Sequence, residues 1–352
     1  MKKKMQAAIA ISLVIFCLLG CGDSSAKESC SKVDCKIMLE KDWSTFCVYS
    51  SETEMLLALE CKNDDTEDAY RSIGAETRAF ILYDLEEEEI KRIYPMDMDA
   101  LSYSAAPFQD GLIYVNSTEG KENLEWQVVY LSEHSSDVML EGTCIYPDQL
   151  PSISMANGVP LVLWMNFEDE TAGLSSVTEH GMNCIISENL NWLINTSAAC
   201  NSKEICFPAG GDSKYAELVV ADASGMISQV RLDGKITSYA LTKDHVVCGL
   251  GDWEETGLFR LLRYQFRTGE KSEEAVPEPF YRMCGGDQNE ALCVDSSFSI
   301  YSIDAADNQF EKRNDLFPTS PCPVVFRPMQ GGKRIAGFLK DAQYTYYIMD
   351  AA

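Results

Sequence analysis

The side chains able to do chemistry are numerous but poorly matched to one another. The chain carries 14 cysteines, 55 aspartates and glutamates and only three histidines in 352 residues. Nucleophilic catalysis needs a hydroxyl or thiol beside a base that a third group orients. His134, His180 and His245 lie in LSEHSSD, TEHGMN and KDHVVC. The first reads as a turn residue and the other two as residues leading into strands. No Gly-x-Ser-x-Gly elbow and no His-Glu-x-x-His motif occurs, and STEGKEN and RTGEKSE lack the glycine that opens a phosphate loop. GLGDWE (249–254) begins like a dinucleotide fingerprint and then lacks its third glycine. Structural zinc needs four converging ligands; there is no Cys-x-x-Cys, and the histidines are scattered. The sequence therefore assigns no catalytic, cofactor-binding or metal-ligating residue.

Carboxylates are the remaining resource. Glycan-cleaving enzymes use two of them roughly 5–10 Å apart, but in a chain this acidic such pairs arise by chance. KNDDTEDAY (62–70), YPMDMDA (94–100) and NFEDETAG (166–173) collect enough oxygen ligands to consider Ca2+, yet none has the spacing of an EF-hand loop. Solvated acidic loops account for all three. The excess of acid over 29 lysines and arginines gives a net charge of −26. Such a body repels phosphate backbones, which argues against nucleic-acid partners.

One cysteine stands apart. Lys2, Lys3 and Lys4 precede an apolar run from Ala7 to Leu19, a run shorter than the roughly 20 residues of a membrane span. The charge pattern is that of a secretory signal. The run ends in Leu18-Leu19-Gly20-Cys21. This resembles the lipobox of bacterial lipoproteins, and the resemblance covers about the first 20 residues. It implies cleavage before Cys21, acylation of the Cys21 thiol, and a body held at the cell membrane facing outside the cytoplasm. Acyl chains anchor because each buried methylene contributes about 0.8 kcal/mol. Residues 1–20 are then a signal peptide and 21–34 a polar tether.

Twelve further cysteines follow Cys21. An even number outside the cytoplasm permits six disulfides. Cys30 with Cys35, Cys200 with Cys206, and Cys284 with Cys293 are the close pairs. The competing reading is that many are small buried hydrophobes, since Cys184, Cys248 and Cys293 sit inside apolar stretches.

The elements that must position these residues are strands. Short runs of Val, Ile, Leu and Tyr alternate with turn residues throughout. One hairpin-like unit recurs as FILYDLEEEEIKRIY (80–94), WQVVYLSEHSSDVMLEG (126–142), MNCIISENLNWLIN (182–195), ISQVRLDGKITSYAL (227–241), LLRYQFRTGEKSEEAV (261–276), FSIYSIDAADNQFEKRN (298–314) and QYTYYIMD (343–350). Copies stand roughly 34 to 56 residues apart, the period of four-stranded propeller blades. Asp233-Gly234 reads as a tight hairpin turn, and Gly269 plays the same part in RTGEK. The expected fold is all-β, a single propeller over residues 35–352 of seven blades, with six or eight as alternatives. The strands within 35–51 complete the last blade and close the ring, which removes the exposed edge. The pattern resembles bacterial β-propeller lipoproteins and their secreted relatives.

Of the five tryptophans, Trp126, Trp164 and Trp192 read as core residues in strands. Trp253, in a polar glycine-rich loop, is the aromatic best placed to meet a ligand. The functional expectation is binding or scaffolding: one face of the ring recognises a protein, peptide or glycan. The alternatives are a glycan-active hydrolase or lyase using loop carboxylates, and a structural subunit of an envelope assembly.

Overall fold

The structure is a computed structural model. It describes residues 30–33, 43–62, 75–96, 104–120, 123–211, 215–251, 258–306, 309–313, 316, 323, 325–329, 333–340 and 343–349. These form seven antiparallel sheets of four strands each. Six sheets are simple meanders over residues 43–95, 105–144, 152–189, 199–233, 235–276 and 280–312. The seventh takes three strands from 325–349 and its fourth from Cys30–Val33, which pairs with Gln343–Met349 in the register Cys30↔Met349 to Val33↔Tyr346.

The reason for a ring lies in the second strand of each sheet. Leu161, Val162, Leu163, Trp164 and Met165 are consecutive and all buried. A strand buried on both faces must be covered on both faces, and here the covers are the neighbouring sheets. Seven apolar clusters result, one in each gap between successive blades. The cluster that joins Cys47, Met55 and Ile81 to Val325, Ile335 and Tyr346 seals the last blade against the first. The expected seven-bladed propeller is the observed fold.

Each blade begins with its innermost strand: Trp43–Ser50, Ala105–Phe108, Ser152–Ala156, Ala199–Cys200, Lys235–Leu241, Phe280–Cys284 and Val325–Pro328. These strands run in the same sense around a central channel. Asn157 N–H donates to the Ser202 carbonyl at 2.7 Å, one side chain bond links Asn201 to the Thr242 carbonyl at 2.9 Å, and Gly286 N–H reaches the Leu241 carbonyl at 2.9 Å. Outer strands alternate with charged residues, as Glu270–Val276 does.

Three expectations change. The closing strand is Cys30–Val33, inside the stretch read as tether, whereas Trp43–Ser50 is the innermost strand of the first blade; residues 35–41 lie outside the described residues. The copies at 182–195 and 227–241 are not hairpins. Gly225–Asp233 is the outermost strand of the fourth blade and Lys235–Leu241 the innermost of the fifth, so Asp233-Gly234 links two blades. Gly234 does adopt a positive φ of 124°, but a turn residue fixes a change of direction and not which strands then pair. Trp192 ends a short 3-10 turn, Leu190–Trp192, and packs edge-on against Phe207 with ring centroids 5.5 Å apart. Trp126 and Trp164 are buried in strands as expected.

Two glycines exist to admit those indoles. Gly142 and Gly173 lie directly across from Trp126 and Trp164. A Cβ on Gly173 would stand 2.4 Å from the Ile186 carbonyl oxygen and 2.7 Å from the Trp164 ring. The missing side chain lets the indole cover the neighbouring strand.

Candidate functional site: the central channel

The innermost strands are short and expose their inward residues to a common space. That space is a cavity of about 670 Å3. Where the innermost strands begin, its mouth is built by the loops before them. Pro147–Gln149 forms a 3-10 turn, and its Asp148 carbonyl accepts from Thr196 N–H at 3.3 Å and from Thr196 Oγ1 at 3.1 Å. Thr196 is almost fully buried and also reaches the Leu150 carbonyl at 2.5 Å. The two loops are thus pinned together by the hydroxyl and N–H of one residue.

Side chains flanking these pinned segments, and others on the innermost strand of the sixth blade, face solvent. Ile145, Tyr146, Ile194 and Tyr281 are 45%, 60%, 47% and 47% exposed, and Arg282 is exposed beside Tyr281. Apolar, tyrosine and arginine side chains on a rigid base are the composition of protein-binding surfaces. Farther along the channel stand Tyr49, Ser50, Cys200, Cys284 and Arg327. The Arg327 guanidinium donates to the Val48 carbonyl and lies over the Phe46 ring at 5.9 Å.

Burial disfavours the thiolate at Cys200 and Cys284 in this region. Burial pushes Cys200 up to about 11 and Cys284 up to about 12, although the nearby Arg327 charge works in the opposite sense on both. A thiolate is what reacts, and burial withholds it.

The expected cysteine pairs are not formed in two of three cases. Cys200 stands opposite Ile205 and Cys206 opposite Ala199; Cys284 stands opposite Leu292 and Cys293 opposite Met283. Each pair is offset by one residue, and a one-residue offset in a sheet puts the two side chains on opposite faces. All four are free thiols. In the third pair, Cys35 lies outside the described residues, and of Cys30 only the backbone is described. Cys21 and Trp253 also lie outside the described residues.

The described lining of the channel is mostly apolar and uncharged polar, with two arginines and one aspartate. Among the described residues, Asp148 is the only carboxylate lining it, so the two-carboxylate arrangement of a glycan hydrolase is not assembled there. Among the described residues no three of His, Cys, Asp and Glu converge as metal ligands. In the loop 166–173, Asn166 uses its Oδ1 on Thr143 N–H and its Nδ2 on Asp169 Oδ2 at 2.8 Å, which makes it a folding element. His134 and His180 are exposed, and burial lowers the affinity of His245 for a proton. Among the described residues no helix is long and apolar enough to cross a membrane.

The channel residues were hard to find in sequence because they sit singly on different blades. One signal was present: FYRMC and VFRPM each place an arginine inside an otherwise apolar innermost strand, one repeat apart.

No protein-family model matches the chain, and a search of curated proteins finds no match. Solved structures do match. A chain of the mitotic checkpoint complex is 11% identical with a TM-score of 0.54, over 97% of this chain and 99% of that one. YCF48 from Cyanidioschyzon merolae is 7% identical with a TM-score of 0.52, over 92% and 98%. The β-propeller domain of the Trilobed protease from Pyrococcus furiosus is 11% identical with a TM-score of 0.49, over 73% and 83%. At these identities the likeness is one of fold, and the chain is, by its own seven closed sheets, a seven-bladed β-propeller.

Proposed function

We propose that this chain is a lipid-anchored binding propeller that holds a partner protein at the channel mouth where the innermost strands begin. The observation that carries the reading is a set of exposed side chains at the channel mouth: Ile145, Tyr146 and Ile194 flank the loops pinned by Thr196, and Tyr281 with Arg282 stands on the innermost strand of the sixth blade. Large apolar side chains exposed together around a concavity are costly to leave in water and fit a partner surface. The lipobox-like Leu18-Leu19-Gly20-Cys21 supports the anchor, and with it a body held outside the cytoplasm.

A photoreactive amino acid tests the rim. Placed at Tyr281 it yields a specific covalent adduct with a partner in intact cells, whereas placed at Val138, on an outer strand and 52% exposed, it does not. Equal labelling from both positions, or none from Tyr281, defeats the reading. Metabolic labelling with palmitate tests the anchor: label enters the wild type and is lost in Cys21→Ser.

A further inference from the structure

The charge of the channel runs against the charge of the protein. The chain as a whole has a net charge of −26. Yet the charged side chains among the described residues that line the channel are Arg282, Arg327 and Asp148, an excess of cation. Arg282 is exposed at the rim, and Arg327 is half-buried farther in. Asp148 belongs to the rim loops. Asp287, just beyond the innermost strand of the sixth blade, accepts from Ser202 N–H at 2.7 Å.

Arg327 links the seventh blade to the first with only part of its donor capacity. Among the described residues its partners are one carbonyl, that of Val48, and the face of Phe46. A guanidinium carries five N–H donors in a planar fork suited to a carboxylate. A second group points to the same ligand. Ser50 belongs to the cavity wall and is only 7% exposed, and its hydroxyl, shielded from bulk solvent, has no hydrogen-bond partner among the described residues. A buried hydroxyl without a partner is costly, and a ligand oxygen removes that cost. Half-burial strengthens the charge attraction, because fewer waters compete.

We infer that the channel receives a carboxylate borne on an extended peptide segment of the partner, with Arg327 and Ser50 binding the carboxylate and Arg282 guiding it at the rim. The cavity, at about 670 Å3, lies within the range of small-ligand sites and has room for a few residues. The inference rests on the proposed partner-binding role and adds the chemistry by which the partner is recognised.

Three capped tripeptides test it by ligand-observed NMR titration against the full chain. N-acetyl-Ala-Glu-Ala-amide offers a side-chain carboxylate, N-acetyl-Ala-Ala-Ala with a free terminus offers a main-chain carboxylate, and N-acetyl-Ala-Gln-Ala-amide offers neither. At least one carboxylate peptide binds, the glutamine peptide does not, and which of the first two is tighter identifies the source. Arg327→Gln weakens binding by at least about tenfold, as expected for loss of a charge-assisted pair. Arg327→Lys, which keeps the charge, weakens it less, and Ser50→Ala weakens it with the melting temperature unchanged or raised. Equal binding of the glutamine peptide, failure of both carboxylate peptides to bind, or indifference to both Arg327→Gln and Ser50→Ala overturns the inference. The two readings fail separately. Adducts from Tyr281 that persist undiminished in Arg327→Gln leave the partner site standing and remove the carboxylate; loss of adducts in the wild type removes the partner site itself.

Discussion

The Tyr346 hydroxyl donates to the carbonyl of Thr45 at 2.8 Å across 301 residues of sequence. Tyr346 belongs to the third strand of the last blade and Thr45 to the innermost strand of the first. The bond is buried, and the Tyr346 ring packs in the cluster that seals these two blades. Closure therefore has two parts: the outer strand Cys30–Val33 added to the last sheet, and this inner clasp between sheets. A ring gains from both because an unsealed gap would leave a double-faced apolar strand uncovered on one side.

Tyr346→Phe keeps the ring and removes the donor, leaving the Thr45 carbonyl buried without its hydroxyl partner. A loss of about 1–3 kcal/mol is expected. Urea unfolding checks it: the midpoint falls while the slope stays constant. An unchanged midpoint means the clasp contributes nothing to closure.

Arg334 makes the comparable bond between the sixth and seventh blades. Its side chain is 2% exposed, and it reaches Glu290 Oε2 at 2.8 Å, the Glu290 carbonyl at 2.6 Å and the Gly285 carbonyl at 3.1 Å. Arg334→Met fits the space but strands a carboxylate and two carbonyls, at a cost of about 3 kcal/mol. Arg334→Lys retains the charge, and it too destabilises because an ammonium cannot span three acceptors held by a planar fork. Thermal unfolding of both variants checks the order wild type, Lys, Met. A lysine variant as stable as wild type would show that charge alone suffices.

How much of this was legible in the sequence depends on the range of each signal. The hairpin at 261–276 was legible because its two strands and Gly269, with φ of 81°, are local. The blade boundary at Asp233-Gly234 was not, because the same turn chemistry serves a hairpin and a link between sheets. Cys30–Val33 carries almost no strand pattern in CSKV; its conformation comes from an edge offered by residues more than 300 positions away. The channel was the least legible part. Ser50, Arg282 and Arg327 come from three blades, and only ring closure brings them to one cavity.

The free thiols divide sharply by exposure. Among the described cysteines Cys184 is exposed on the outermost strand of the third blade, while Cys47, Cys144, Cys206, Cys248, Cys284 and Cys293 are buried. Burial raises Cys47 to about 11 and Cys144 to about 12. At pH 8 in native conditions iodoacetamide therefore modifies Cys184 well before any of those six, because reaction needs both access and thiolate. Peptide mapping after timed quenching checks this. Early labelling of Cys206 or Cys248 would mean that the seams between blades open readily.

Acid should loosen the first blade through Asp84. Its Oδ2 meets the Lys91 ammonium at 2.8 Å, and its Oδ1 accepts the N–H groups of Glu86 and Glu87 at 2.8 and 2.9 Å. The Lys91 bond first, and then these backbone donors, hold its carboxyl down from an ordinary 3.8 to about 2. A group whose folded value is depressed contributes stability above its unfolded value and loses it as pH falls toward the folded one. The contribution is thus complete above about pH 4 and disappears between about pH 4 and 2. Lys91 is shifted in the opposite sense, upward, by Asp84 and Glu54, so its share of the pair fades only in strong alkali. Asp84→Asn retains an acceptor for the turn and removes the charge. Urea midpoints for wild type and Asp84→Asn, taken from pH 7 downward, should differ by a constant amount to about pH 4 and converge below it. A gap that persists unchanged down to pH 2 would assign the role of Asp84 to its hydrogen bonds alone and not to its charge.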